Sequence, residues 1–255
     1  MTETKQKRGP ALITTVLLSE PKFSAKQYAQ NLRADWGIEI PETDIGEENM
    51  SVVTLLRGMM VSVFLDPTPV PDGKAEREAQ TNYLWKEAVK TAAAHKARVT
   101  VAIQLNGTDP VGAAVLSVKL AASVLRQASA SGVMACGTVM SPEFYLQSAL
   151  EGCAGNRIPI MNLIYFGVYS NDNGSTMNGY TFGMKKLGAE ELEILGSLKE
   201  PQEIFQMLTT AASYMIDYRV KLRDGDTIGL RPGESFRITE SRGQAVDGNS
   251  LKIAF

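Results

Sequence analysis

Three prolines within five residues, Pro67, Pro69 and Pro71, dictate the state of one stretch of this 255-residue chain before any other. A proline offers no N–H to a helix or a sheet ladder, and its ring fixes φ. Residues 66–73, Asp-Pro-Thr-Pro-Val-Pro-Asp-Gly, are therefore excluded from helix interiors and central strands and must form a stiff, extended loop. The elements on either side have to be arranged around that strap.

Upstream of it, residues 12–19 are rich in β-branched side chains and read as a strand. Ser24, with Gln27 three residues on, has the form of a capping box and opens a helix that should run to Trp36 and stop at Gly37. Tyr28, Leu32 and Trp36 form its core stripe. Residues 39–49 carry five acidic side chains with Pro41 and Gly46 and read as a solvated loop. Two strands, 51–56 and 59–65, flank Arg57-Gly58, a hairpin turn. Downstream of the strap a helix is expected over 75–95. A strand follows over 98–105, where Val99, Val101, Ile103 and Leu105 alternate on one face.

The order β-α-β-β-α-β is that of a ferredoxin-like unit. The remainder reads α-β-α-β-β-α-β with a tail of short strands. Asp109 or Thr108 caps a very apolar helix over 110–127, with Pro110 at its first turn. Strands are expected over 132–140, 158–170 and 180–184, and a short acidic amphipathic stretch over 187–195. A helix over 201–218 precedes strands at 227–230, 235–239 and 251–255. The fold class is thus α+β: two ferredoxin-like-type halves, mainly antiparallel sheets, helices packed on one face. The expected organisation is a flexible N-terminus (1–10), an N-terminal half (11–105) and a C-terminal half (106–255), packed together as one globular unit.

Composition narrows the chemistry. The chain has one histidine and two cysteines, fewer than the four ligands usual in a structural zinc site, and at most one disulfide. With 26 basic and 28 acidic residues it has no basic excess for a nucleic-acid surface. No window is apolar for the ~18 residues of a membrane span, and the apolar run at 11–18 is too short for a signal peptide, so a cytoplasmic location is expected. The sequons Asn106-Gly107-Thr108 and Asn173-Gly174-Ser175 are then turns. No P-loop, dinucleotide fingerprint, nucleophile elbow or His-Glu-x-x-His pattern is present. No metal or cofactor is expected.

Any histidine-dependent device must use His95, which lies at a helix C-terminus where an imidazole can bond the last free carbonyls. Cys136 and Cys153 read as buried thiols. The acidic runs 42–48 and 190–193 lack calcium-loop spacing and read as solvated surface, or as a patch that steers a basic protein partner. Lys119, inside the apolar helix, should snorkel at its edge. The methionines are spread over many elements.

The segments Pro67-Thr68-Pro69-Val70-Pro71, Trp85-Lys86-Glu87-Ala88 and His95-Lys96-Ala97-Arg98-Val99-Thr100-Val101 are followed by the Asp109-Pro110 helix and Gly132-Val133. Then come Thr181-Phe182-Gly183-Met184, Leu187-Gly188 and Asp224-Gly225-Asp226-Thr227-Ile228-Gly229. In this order they resemble a bacterial family known only as domain-of-unknown-function family 4261, from about residue 11 onward. The resemblance brings no activity and no catalytic residue with it. It suggests a scaffold in which the strap covers an edge, Trp85 anchors a helix, and His95 closes it.

The expectation is a non-enzymatic cytoplasmic protein-binding module, monomeric or homodimeric, with a protein partner and neither nucleic acid nor membrane. An adaptor or chaperone for a secreted effector, or an immunity protein against a toxin, would fit. Pro67, Pro69, Pro71, Trp85 and His95 are the candidate binding residues. The alternative is an enzyme or small-molecule sensor with a pocket near His95.

Overall fold

The computed structural model describes residues 11–105, 109–170 and 174–255. Residues 1–10, 106–108 and 171–173, on which the expected N-terminal segment and the two expected sequon turns fall, lie outside these. The fold is α+β, and the chain divides into two units, residues 1–149 and 150–255.

The first unit contains, in order, β1 (Ala11–Leu18), α1 (Ala25–Trp36), β2 (Ser51–Leu56), β3 (Met59–Asp66), α2 (Lys74–Ala79) and α3 (Ala88–Ala94). These are followed by β4 (Ala97–Gln104), α4 (Pro110–Leu125), β5 (Ala130–Ala135) and β6 (Thr138–Met140). The division falls inside α5 (Pro142–Cys153). Its six strands form one sheet in the order β2-β3-β4-β1-β5-β6, antiparallel at every step. The boundary therefore lies near residue 150 and not at 105/106: β5 and β6 complete the first sheet by pairing onto β1, so α4 and both strands belong to the first unit.

Local chemistry explains the well-defined elements. Ser24 Oγ accepts the Gln27 N–H at the start of α1, and Gly37 ends the helix in the left-handed region at φ 64°. Gln27 does not turn back on Ser24, as a full capping box would have it. Gln127 takes that place, accepting the Ser24 N–H at 2.9 Å and donating to the Ser24 carbonyl at 3.0 Å. Arg57 (φ 51°) and Gly58 (φ 78°) both adopt the positive φ that a two-residue hairpin requires. Asp109 caps α4 through the Val111 N–H, with Pro110 in the first turn.

The strand order is not ferredoxin-like. That arrangement places β1 between β3 and β4, whereas here β4 pairs directly with both. The cause lies between Lys74 and Ala94. One helix across the sheet would return the chain to the far end and give parallel neighbours. Instead the expected helix over 75–95 is broken, and α2 and α3 lie against each other. Asn82 makes the break: its Oδ1 accepts the N–H groups of Leu84 and Trp85, both at 2.9 Å, and its Nδ2 donates to the Val139 carbonyl. The chain thus doubles back and enters β4 at the end where β3 left, with Asp66 opposite Arg98.

Nor are the helices confined to one face. Val99, Val101 and Ile103 lie on the face covered by α4, where Thr14 and Ser117 hydroxyls meet at 2.9 Å. On the opposite face Leu17, Val139 and Met134 pack against Ala75, Ala79, Ala88 and Ala92 of α2 and α3.

The second unit contains α6 (Ile160–Leu163), β7 (Tyr165–Tyr169), β8 (Met177–Phe182), β9 (Leu192–Ser197), α7 (Pro201–Asp217), β10 (Thr227–Ile228), β11 (Phe236–Arg242) and β12 (Asn249–Ile253). Its sheet runs β10-β11-β12-β9-β8-β7, with β12 and β9 parallel and the other pairs antiparallel. α7 packs on β7–β9. Gly179 admits it: a Cβ there would come within 2.5 Å of Ile204 Cγ2 and 2.8 Å of Leu208 Cδ1.

Four segments depart from expectation. The strap is extended only as far as Val70: Pro71–Gly73 form a 3-10 turn that runs into α2, with Asp72 (φ 59°) and Gly73 (φ 61°) at positive φ. Residues 132–140 are a hairpin, because Cys136 (φ 40°) and Gly137 (φ 77°) turn the chain between β5 and β6. Residues 158–170 are not one strand, since a helical turn, α6, follows Pro159. The acidic stretch over 187–195 ends in β9, a strand inside the second sheet.

Tyr28, at the centre of the first unit, is fully buried, and its hydroxyl finds no hydrogen-bond partner among the described residues. Burial alone drives its ionisation above the ordinary tyrosine range. Removing an unpaired buried hydroxyl relieves a desolvation cost of about 1–3 kcal/mol. Tyr28→Phe should therefore leave urea-unfolding stability unchanged or raise it, and a loss above about 1 kcal/mol would show that the hydroxyl is bonded.

Candidate functional site

Of the five residues singled out from the sequence, His95 is joined to the proline strap in a fastening, while Trp85 packs against the apolar cluster that contains Val70. The strap leaves β3 at Asp66, whose carboxylate accepts from the Thr68 hydroxyl at 2.6 Å and the Thr68 N–H at 3.1 Å. Arg98, across the ladder, donates to Asp66 and to the carbonyls of Thr68 and Pro69. The Thr68 hydroxyl, aided by Arg98, holds the Asp66 carboxyl below its usual range. Val70 turns inward, and its N–H donates to His95 Nε2 at 2.8 Å. The other ring nitrogen, Nδ1, meets the Ala92 carbonyl in the last turn of α3. His95 thus finishes its helix, as the sequence suggested, and also pins the strap.

His95 is 6% exposed with both nitrogens engaged inside the protein. A general base or ligand anchor needs a free ring nitrogen on an open pocket, and this geometry gives no support to either. Pro67, Pro69 and Pro71 stay on the surface. Trp85 is half-buried over Gly132, its Cη2 3.6 Å from where a Cβ would stand. These residues do structural work. His95→Phe removes the acceptor of a buried N–H. It should cost about 1–3 kcal/mol in thermal or urea unfolding and speed protease cleavage within residues 67–73; unchanged cleavage would contradict the fastening.

The second unit has a polar centre that sequence reasoning missed. Glu190–Glu193 reads as a solvated run, yet only Glu190 is exposed; Glu191 and Glu193 are buried. Glu191 accepts from the Thr181 hydroxyl (2.8 Å) and the N–H groups of Gly183 (2.9 Å) and Lys185 (3.2 Å), holding the turn after β8. Glu193 accepts from the N–H groups of Gln244 and Ala245 (2.9 and 2.6 Å) and from the Ser250 hydroxyl (2.6 Å). It also pairs with Lys252 Nζ at 3.1 Å. Lys252 donates onward to the carbonyls of Ser241 and Arg242. Together they fasten the loop before β12 to β9. The one signal in the sequence was the alternation of Glu191 and Glu193 with Leu192 and Ile194, all four of which are buried.

Burial by itself would raise the Glu193 carboxyl, but hydrogen bonds from Ser250, Ala245, Lys252 and Gln244 outweigh it and hold the group below the usual glutamate range. A depressed folded-state value stabilises the fold above the unfolded value of about 4.3, and that stability fades as pH falls through the folded value. Tyr169 is pushed up by burial and then by the Glu193 charge. Tyr165 and Tyr180 pack edge to face at 5.8 Å beside it. In Glu193→Gln the acid limb of a melting-temperature profile between pH 3 and 7 should flatten, with lower stability at neutral pH. An unchanged limb would contradict the assignment.

The remaining candidates are plain. Neither cysteine is in a disulfide, and both are half-buried. Lys119 reaches the edge of α4 with its ammonium 5.4 Å from the centroid of the Trp36 ring. Among the described residues no cluster of three or more histidine, cysteine or acidic side chains could hold a metal, and no helix is long and apolar enough to cross a membrane.

What stays open is a sheet face. On the side of the first sheet opposite α4, three cross-strand rows run Leu55–Met60–Gln104–Ala11, Val53–Ser62–Ala102–Ile13 and Ser51–Phe64–Thr100–Thr15. A fourth row, Asp66–Arg98–Leu17, is closed by the strap and the α2–α3 pair. Ile13 (59% exposed), Val53 (55%), Leu55 (64%), Met60 (40%) and Phe64 (40%) stand on the open rows. The three rows carry no charged side chain.

The molecule is thus an α+β protein with two buried polar fastenings and one uncovered apolar sheet face. Residues 180–254 match a family model described as Domain of unknown function (DUF4261), and the resemblance read from the sequence holds for that segment. The match takes in half of β8, all of β9, α7, β10 and β11, and β12, so the Glu191 and Glu193 fastenings lie within the matched segment. No curated protein and no solved structure matches this chain.

Proposed function

We propose that this chain is a non-enzymatic, cytoplasmic protein-binding module that engages its partner through the open face of the first sheet. It would serve as an adaptor or chaperone for a secreted effector, or as an immunity protein against a toxin, in a bacterium. The observation that carries this reading is the exposure on one sheet face of Val53 and Leu55 of β2, Met60 and Phe64 of β3 and, across β4, Ile13 of β1. Single exposed apolar residues are ordinary, but a contiguous uncharged patch costs solubility and is characteristic of interaction surfaces. At a strand spacing near 4.8 Å and a row spacing near 6.7 Å the twelve positions of the three rows cover about 400 Å², with the five large apolar side chains set among Ser51, Ser62, Thr100 and Gln104.

A photo-crosslinking residue placed at Leu55 or Phe64 in the source cell should yield the same discrete adduct from both positions. The same residue at Lys90, exposed on α3 of the same unit, should yield none. Absence of an adduct from both face positions, or the same adduct from Lys90, would contradict the proposal.

A further inference from the structure

The fastening of the strap carries a proton condition. His95 is the chain's one histidine, and both of its ring nitrogens are committed: Nδ1 meets the Ala92 carbonyl and Nε2 receives the Val70 N–H at 2.8 Å. We infer that the strap is a proton-sensitive latch, closed on the neutral imidazole and released when His95 takes up a second ring proton.

The two partners dictate the state of the ring. A carbonyl oxygen only accepts, so Nδ1 must carry the proton; a backbone N–H only donates, so Nε2 must be bare. The latch thus selects one tautomer of the neutral imidazole. An imidazolium donates from both nitrogens, and its Nε2–H would face the Val70 N–H, a donor against a donor. Both residues are buried, His95 at 6% and Val70 at 8% exposure, so water cannot take up the mismatch while the strap is closed. Opening the strap solvates both groups.

The charged groups of the surrounding elements are engaged elsewhere. On the strap, Asp66 is held by Thr68 and Arg98, and Asp72 is exposed. On β4, Arg98 is turned to the strap carbonyls, and Lys96 is exposed. On α3, Glu87 pairs with Lys90 at the surface. On α2, Lys74 pairs with Glu78, and Glu76 and Arg77 lie beside Gly73. Just after β1, Glu20 pairs with Lys22. Among the described residues no acidic side chain bonds either ring nitrogen; both partners are main-chain groups. A charged ring in this position therefore gains no hydrogen-bonded carboxylate to offset the lost acceptor.

Linkage sets the sign. The closed latch binds one proton fewer than the open one, so it is at full strength above the ordinary histidine value of about 6.5. Below that value it weakens, by about tenfold in the open-to-closed ratio for each pH unit. The Asp66–Arg98 pair does not share this window, because the Asp66 carboxyl is held below its usual range and stays charged there. Release draws Val70 out of its cluster with Leu17, Ala75, Ala88 and Val139. That cluster lies on the same side of the sheet as the open rows. Acidification thus enlarges the apolar surface that this side already exposes.

The test follows hydrogen exchange of the Val70 N–H by NMR in the full chain, from about pH 7.5 to about pH 5, expressed as a protection factor. The Val101 N–H, on β4 between β3 and β1, reports global opening. Val70 protection should fall about tenfold per pH unit below about 6.5, while that of Val101 holds. His95→Gln, whose side-chain carbonyl accepts without titrating, should keep Val70 protected equally across the range, and His95→Phe should leave it unprotected throughout. With a single histidine, the ring-nitrogen shifts need no assignment, and at neutral pH they should show a proton on Nδ1 and none on Nε2. Flat Val70 protection in the unsubstituted chain overturns the inference, as does a fall that His95→Gln retains or that Val101 shares in parallel. A ring protonated on Nε2 at neutral pH overturns it whatever the variants do.

Discussion

Asp66 and Arg98 face each other where β3 ends and β4 begins, and their pairing fixes the path of everything between them. Antiparallel neighbours must be left and entered at the same end, so the connection has to go out and come back. The proline strap runs extended to Val70, held by Arg98 and His95, and closes in the Pro71–Gly73 turn that opens α2; α2 and α3 then make the return trip. The alanines they bury at Ala75, Ala79, Ala88 and Ala92 cluster with Val70 and Trp85 over Leu17, Met134 and Val139 of the sheet. The rest of that face is left uncovered. The exposed rows of β1–β4 are thus a consequence of how one connection is tethered.

The second unit is organised by buried carboxylates. Glu191 and Glu193 each satisfy several backbone N–H groups in turns that lack regular structure. A loop with unpaired N–H groups could not lie against a sheet without this compensation. Such groups cost desolvation energy and return conformational definition, so truncating one partner strands the others. Their position within the matched segment gives its Thr181-Phe182-Gly183 stretch a physical role: the Thr181 hydroxyl and the Gly183 N–H both donate to Glu191.

Much of the fold was legible because it rests on short-range chemistry. Ser24 and Gly37 bound α1, Arg57-Gly58 sets the β2–β3 hairpin, and Asp109-Pro110 and Glu200-Pro201 open α4 and α7 within their own first turns. What was not legible depends on partners distant in sequence. The helix break needs the Val139 carbonyl to hold Asn82, the β5–β6 hairpin needs a cysteine at positive φ, and β9 reads as acidic surface until Ser250 and Lys252 enclose Glu193. The same holds at the candidate site. Pro67, Pro69, Pro71, Trp85 and His95 stand out in the sequence, but the bonds that fasten the strap come from Asp66, Thr68, Val70, His95 and Arg98, which only the fold brings together. The open face could not be recognised from β2 and β3 alone, since Val53, Leu55, Met60 and Phe64 read as core until the covering layer proves absent from those rows.

The central claim is that this face is covered in the cell by something other than the rest of the chain. The most direct measurement is thiol accessibility at Leu55→Cys in a chain whose Cys136 and Cys153 are replaced by alanine. Alkylation should be fast in the purified protein and strongly slowed at native abundance in intact cells, relative to a cysteine placed at Lys90. Equal rates in both settings would contradict the account.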